Sequence, residues 1–266
     1  MADGVRLDGR TALVTGSIAG LGYAMARSLA HAGASVTLTS LDPVAVGEPA
    51  RAALEAESGV PIHYVQADLT SREELRGLIA TVERDSGPVD ILINNAVVRH
   101  FSPVEDFPLE AWDQALAVNL TAALIATQLV LPSMRERGYG RIFNMTSVYG
   151  SRATVNRVDY VTTKTALQGF TRAIALENAG GPVSCHALTP GSVLTPIWEA
   201  RVEALMAEKG VSRAAAEAEF LDGKQPSGSF VSPDSVGQVM LMLCGPVGID
   251  MNGAIVPIEG GWLANS

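Results

Sequence analysis

Short unbroken apolar runs alternate along this chain with longer segments in which apolar residues return every three or four positions. Ala12-Leu13-Val14 is a run of the first kind and reads as a buried strand. Tyr23-Ala24-Met25-Ala26-Arg27-Ser28-Leu29-Ala30, just beyond it, reads as a helix. The same reading places strands at 11–15, 35–39, 62–66, 90–94, 141–145, 183–188 and 254–258. It places helices at 21–31, 43–57, 71–86, 109–137, 159–179 and 233–244. Strands and helices in alternation predict a parallel sheet, right-handed crossovers and helices on both faces: an α/β, Rossmann-type, doubly wound fold. In such a sheet ligands bind beyond the carboxyl ends of the strands, where strand order reverses.

Composition narrows the setting. A chain of 266 residues can bury one substantial core, and no linker, charge block, Pro/Ser-rich run or internal repeat divides it, so a single domain over 1–266 is expected. A hydrophobic content of 47% against 18% charged residues suits buried parallel strands. The formal net charge of −9 argues against nucleic acid or an anionic membrane as partner. MADGVRLDGR at the start has no apolar signal-peptide core, and the longest apolar stretch, Leu120 to Leu131, is too short to span a bilayer. Cys185 and Cys244, the only two cysteines, make no disulfide framework, so a reducing cytoplasm is the expected location. His31, His63, His100 and His186 are scattered without zinc-like spacing, and no metal site is expected.

The candidate chemistry lies in YVTTK. Tyr160 and Lys164 are four residues apart, on one face of a helix, with Ser147 thirteen residues upstream. A phenol ordinarily titrates near pH ~10, too high for acid–base work at neutrality, and a neighbouring ammonium favours its ionised form. A serine hydroxyl can hold a carbonyl or alcohol oxygen beside it. A second element, TGSIAGLG over Thr15 to Gly22, joins the first strand to the first helix. Its glycines permit a tight turn and close approach of backbone to a pyrophosphate. The helix N-terminus supplies free N–H groups and a positive dipole end.

TGSIAGLG, Asn94-Asn95-Ala96, Asn119, Ser147, Tyr160, Lys164 and Pro190-Gly191, in this order and at these separations, resemble the short-chain dehydrogenase/reductase family from about Leu7 to Trp262. The resemblance implies Asn119, Ser147, Tyr160 and Lys164 as catalytic residues. It implies a dinucleotide held by Gly16, Ser17, Ile18, Gly20, Leu21, Gly22, Leu41, Asp68, Leu69, Asn95, Ala96, Val97, Tyr160, Lys164, Pro190, Gly191, Val193 and Thr195. Asp68 also reads as a turn or capping residue, and Asn119 as a packing or kink device. One departure stands out: the family usually has Asn-Asn-Ala-Gly where this chain has Val97, a β-branched residue beside the cofactor. A homotetramer is implied by the family, not by the sequence itself.

The cofactor expected is NAD. NADP needs a cation for its 2′-phosphate, and neither Ala19 nor Ser40-Leu41 offers one. Position 40 also lacks the aspartate that often marks NAD use in the family.

EDFPLEAWDQALAVNL at 105–120, KQPSGSFVSP at 224–233 and EGGWLAN at 259–265 resemble the D-3-hydroxybutyrate dehydrogenase group of that family. EALMAEKGVSRAAAEAEFL at 203–221 resembles the group's helical substrate lid, expected here at about 195–225. The pocket differs: Arg99, Tyr149, Arg157, Arg201 and Ser192 stand where the group has Gln, His, Lys, Gln and Trp, and only Trp262 persists. Trp262 reads equally as core. Guanidinium pairs bidentately with carboxylate or phosphate, and Ser192 opens volume. A hydroxy or keto acid longer or more highly charged than 3-hydroxybutyrate is the expected substrate, contacting Arg99, Ser147, Tyr149, Arg157, Tyr160, Ser192, Arg201 and Trp262. The alternatives are a reductase of a neutral carbonyl, sugar or polyol, and a non-catalytic dinucleotide-binding protein.

Overall fold

The computed structural model describes residues 5–265. Seven strands form one parallel sheet: β1 (Thr11–Thr15), β2 (Ser35–Ser40), β3 (Ile62–Gln66), β4 (Ile91–Asn94), β5 (Gly140–Met145), β6 (Val183–Pro190) and β7 (Ile255–Ile258). Their order is β3-β2-β1-β4-β5-β6-β7, so connections run outward on both sides of β1 and β4. Register is parallel at every ladder, with Ala12 opposite both Val36 and Ile91.

Adjacent residues of a buried strand serve opposite layers. Val14 packs towards α1 (Gly20–His31) and α9 (Pro233–Cys244), with Met25, Leu29, Met240 and Leu243. Leu13 packs the other way with Leu78 and Val82 of α3 (Arg72–Ser86), Val130 of α5 (Ala122–Glu136) and Ile174 of α6 (Val158–Glu177). α2 (Val44–Ser58) lies on the α1 side and contributes Leu54.

The sequence pattern places six helices correctly in kind and to within a residue or two at most ends. Two details differ. The helix expected at 109–137 is α4 (Leu109–Leu116) running into α5 through a π-turn at Ala117–Thr121. Counting that whole unit, Leu109–Glu136 is 28 residues and apolar enough by length and composition to cross a membrane, which the shorter apolar run had hidden. Here it packs on α3, the sheet and α6. The second difference is a helical pair, α7 (Pro196–Lys209) and α8 (Arg213–Leu221), where hydrophobic periodicity predicted none and only the resemblance implied a lid. A short helix, α10 (Val247–Asp250), precedes β7.

Candidate functional site

The carboxyl ends of β1 and β4 meet where strand order reverses, and there the glycine loop sits. Gly16 and Gly20 have φ of +63° and +61°, a region that disfavours a Cβ. A Cβ on Gly22 would run into Gly16 O and Asn95 Nδ2. Thr15 Oγ1 accepts the N–H groups of Asn95 (2.9 Å) and Ala96 (3.0 Å). Asn95 Nδ2 donates to Thr15 O and Gly16 O, both at 2.9 Å. Ser17 is fully buried: its hydroxyl donates to Val14 O (2.6 Å) and accepts from Thr39 N–H (3.1 Å). The Ser17 hydroxyl and the Asn95 Nδ2 group therefore shape the loop. No side chain caps α1 at Ala19. Its first N–H groups thus have no side-chain partner, which leaves them for an anion such as a pyrophosphate. Ile18 and Leu21 are half-buried beside it, and the Thr195 methyl lies 3.9 Å from a Cβ built on Gly20, across the cleft.

The end of β2, where the adenosine is expected, carries an acid rather than a cation. Ser40 Oγ hydrogen-bonds Tyr64 Oη (2.8 Å) and donates to Asp42 Oδ2 (3.0 Å). Asp42 thus folds its carboxylate back to position 40. Leu41 is exposed beside it. Asp68 Oδ1 accepts from Thr70 N–H and Oγ1 (both 2.8 Å), a turn bond leading into α3, with Leu69 packed below on the core.

The expected trio comes together at the ends of β5 and α6. Ser147 follows β5 and heads a 3₁₀ turn, Val148–Gly150. Its oxygen accepts only a long bond from Tyr149 N–H (3.3 Å), so the hydroxyl proton has no protein acceptor among the described residues. Tyr160 and Lys164 project from one face of α6, with Nζ 5.6 Å from the phenol ring centre. Lys164 is buried and donates to Met145 O (2.5 Å). Burial, and secondarily the Arg99 charge, push its ammonium down to about 7. Asn119 lies in the π-turn, a feature common at functional sites. Its amide accepts from Val98 N–H (2.9 Å) and donates to Val98 O (3.0 Å) and Thr163 Oγ1 (3.3 Å).

That lysine carries a stability prediction. Its pKa is near 7 folded and near 10.5 unfolded, so unfolding takes up a proton between those values and stability rises with pH from about 7. Cys185 and Cys244, pushed by burial up to about 12, reverse the slope once an unfolded thiol ionises above pH ~8.5. Between these limits, the rise in ligand-free melting temperature with pH should flatten in Lys164→Met. Parallel curves for the two proteins would contradict it.

The substrate side is aromatic and basic. Tyr149 stands edge-on to Tyr160 (ring centres 6.3 Å apart) and to Trp262 (5.5 Å). Arg157 lies over the rings of Phe101 (4.3 Å) and Tyr149 (5.7 Å). Trp262 is 7% exposed, so it is both core and wall of this cluster. Val97 and Arg99 are exposed on the strip after β4. Arg201 is not in the cluster: it stacks on Trp198 of α7, 5.0 Å from the ring, and Trp198 packs on Phe220 and Phe230. Among the described residues none of Arg99, Arg157 and Arg201 pairs with a carboxylate, whereas Lys209–Glu219, Arg213–Glu199 and Arg213–Glu217 do pair within the lid.

Several supports escaped the sequence reading. Gln225 is 2% exposed; its Oε1 accepts from Ser192 N–H (2.9 Å) and its Nε2 donates to Ser229 O. A Cβ on Gly191 would lie 2.5 Å from Gln225 Oε1. This side chain therefore fixes Pro190-Gly191-Ser192, the segment before Val193 and Thr195. Arg152 donates to Trp262 O (2.8 Å) and Asn265 O (2.5 Å), tying down the C-terminal segment. Neither stands in a local pattern; KQPSGSFVSP was the one available sign for Gln225.

With this geometry in view, the comparisons agree on one family. A family model described as short chain dehydrogenase matches residues 10–205. The chain is 38% identical to the D-beta-hydroxybutyrate dehydrogenase of Cupriavidus necator, over 97% of this chain and 99% of that protein. It is 34% identical to a D-beta-hydroxybutyrate dehydrogenase of Rhizobium meliloti, over 96% of this chain and 99% of that one. Among solved structures, L-sorbose reductase from Gluconobacter frateurii, complexed with NADPH and L-sorbose, superposes with a TM-score of 0.90 at 26% identity, covering 99% of this chain and 100% of that one.

Proposed function

Because the chain belongs to the short-chain dehydrogenase family, we propose that it interconverts a secondary alcohol and a ketone on a small anionic hydroxy or keto acid, using NAD. The observation that carries the substrate reading is Arg157. Its guanidinium is covered by Phe101 and Tyr149, has no acid partner among the described residues, and is one ring away from Tyr160. Covered faces leave the N–H edge for a planar anion.

Tyr160 gives or takes the proton at the reacting oxygen. Ser147 donates a hydrogen bond from its free hydroxyl to that oxygen and holds it beside the phenol. Lys164, fixed by Met145 O, contributes charge behind the phenol and donors for the nicotinamide ribose. The bound dinucleotide supplies or accepts the hydride. The uncapped start of α1, with Gly16, Gly20 and Gly22, receives its pyrophosphate; Tyr149 and Trp262 exclude water from the substrate side. Val97 narrows the nicotinamide side of the pocket. α7 and α8 form a lid over 195–225 whose closure would bring Arg201 towards the substrate.

NAD follows from the adenosine end. Asp42, held at Ser40, can accept from a ribose hydroxyl and repels a 2′-phosphate. NAD should have the higher kcat/KM in wild type. Leu41→Arg combined with Asp42→Asn should move the ratio towards NADP by about 10-fold or more. A wild-type preference for NADP would refute this reading of the pocket.

The likeness to L-sorbose reductase favours a second reading, a neutral sugar or polyol. Arg157, stacked beside the Tyr149–Tyr160 cluster with no acid partner among the described residues, counts against it. A homotetramer in the cytoplasm completes the proposal: Leu109, Leu124 and Leu176 are exposed apolar positions on α4, α5 and α6, and both cysteines are free thiols. The deciding experiment is absorbance at 340 nm with NAD and a panel of 3-hydroxy acids, 3-hydroxybutyrate and 3-hydroxyglutarate among them. NADH formation is expected. NAD binding with no turnover on any acid, alcohol or sugar would make this a non-catalytic dinucleotide-binding protein.

A further inference from the structure

The strip after β4 is fastened at alternate residues. Val98 exchanges two hydrogen bonds with the Asn119 amide. His100 offers both its N–H and its ring Nδ1 to Asp159 Oδ2, each at 3.2 Å. Ser102 N–H donates to Asn156 O (3.2 Å). Burial alternates with the same two-residue period: Val98, His100 and Ser102 are half-buried, while Val97, Arg99 and Phe101 between them are exposed. Two of the exposed set bear on the candidate site. Arg99 is close enough to depress Lys164, and Phe101 lies under Arg157.

The middle fastening differs from its neighbours. Asp159 is fully buried in the first turn of α6, and its carboxylate is satisfied on both oxygens. Oδ1 accepts the N–H of Tyr160 itself at 2.6 Å. Thr163, which accepts from Asn119, donates to Asp159 O (2.8 Å). A buried carboxylate is costly without donors. This one takes its donors from the strip and from the residue next to it, Tyr160. The His100 ring is 30% exposed and stands edge-on to Phe107, so the histidine sits at the rim of the site while Asp159 lies buried beneath it.

We propose that His100 and Asp159 are positioning residues that register the Val97–Arg99–Phe101 face against Tyr160, so that substrate recognition and proton transfer share one anchor. The proposal rests on the assignment of Tyr160 as the acid/base. A misplacement of about 1 Å can cost ~10²-fold in rate, so the effect is large for two groups outside the reacting centre.

The test compares His100→Ala with His100→Asn, whose amide keeps an N–H donor near the position of Nδ1. With 3-hydroxyglutarate as probe, His100→Ala should raise KM about 10-fold or more and lower kcat severalfold. His100→Asn should stay within about threefold of wild type, and NADH dissociation constants should be unchanged in both to within about twofold. Asp159→Ala should be at least as severe as His100→Ala, since it also frees the Tyr160 N–H, and the double variant should be no worse than Asp159→Ala, since His100 acts through Asp159. Amide exchange over 97–102 should accelerate about 10-fold in His100→Ala, while 11–22 stays protected. Unchanged KM and exchange in His100→Ala, or additive effects in the double variant, would overturn the proposal. Should Asp159→Ala fail to fold, the His100 pair decides alone. Turnover retained by Tyr160→Phe would instead defeat the catalytic assignment, and the exchange result would still report on the anchor.

Discussion

Tyr160→Phe is expected to abolish nearly all turnover, by about 10²–10⁴-fold, while leaving NAD(H) affinity within a few-fold of wild type. The ring remains, so its edge-on packing with Tyr149 and its place above Lys164 are kept. Only the exchangeable proton at the reacting oxygen is lost. Ser147 cannot replace it, because a serine hydroxyl is far too weak an acid to serve as the donor at neutral pH. Burst and steady-state rates at 340 nm, with NADH binding followed by fluorescence, separate the two quantities. Turnover within about 10-fold of wild type would remove Tyr160 from the acid/base role.

Arg157→Ala is expected to raise KM for the true anionic substrate by about 30-fold to several-thousand-fold, the range for removing one partner of a buried charge pair of ~2–5 kcal/mol. Neutral secondary alcohols should barely register the change. The same substitution uncovers faces of Phe101 and Tyr149, so a small loss of stability should accompany it. Arg157→Lys should recover only part of the binding, since an ammonium cannot make the bidentate contact. Arg201→Ala is a separate probe. Arg201 stacks on Trp198 in the lid, so its effect on KM should be present only if the lid closes over the substrate. Equal losses on charged and neutral substrates after Arg157→Ala would mean that it supports the pocket without reading charge.

The strands were legible because their signal is local. Ala12-Leu13-Val14 is apolar on both sides and lies between two helical layers, and the residues obey that pattern one by one. The glycine loop was legible because its needs are steric: Gly16 and Gly20 adopt positive φ, and Gly22 has no room for a side chain. Tyr160 and Lys164 were legible because helical spacing alone puts them on one face. α7 and α8 were not visible as periodicity because they bury little: Val202 in the first, Ala216 and Leu221 in the second. The π-turn at Ala117–Thr121 was hidden because it interrupts an otherwise regular helical pattern by a single widened turn.

The rest depends on pairings between distant residues, which no window along the chain can show. Asp42 reads as a turn residue until Ser40 Oγ is seen to hold its carboxylate, and Tyr64 Oη its main-chain oxygen, at the end of β2. Gln225 is one polar residue in a loop until it is seen under Ser192 and Gly191. His100 and Asp159 are 59 positions apart and meet only because the segment after β4 passes the start of α6. Arg201 went the other way. Alignment placed it with Arg99 and Arg157, but the lid helix carries it off to Trp198.

The central claim is that an acid/base tyrosine works beside a pocket that reads a negative charge. The most direct measurement is kcat/KM with NAD for matched pairs of substrates, a 3-hydroxy acid and its neutral amide or alcohol, of four to six carbons and including 3-hydroxyglutarate. A carboxylate should be preferred in every pair, with the longer or doubly charged acids ahead of 3-hydroxybutyrate. Greater efficiency on a neutral alcohol or sugar than on any carboxylate would contradict it.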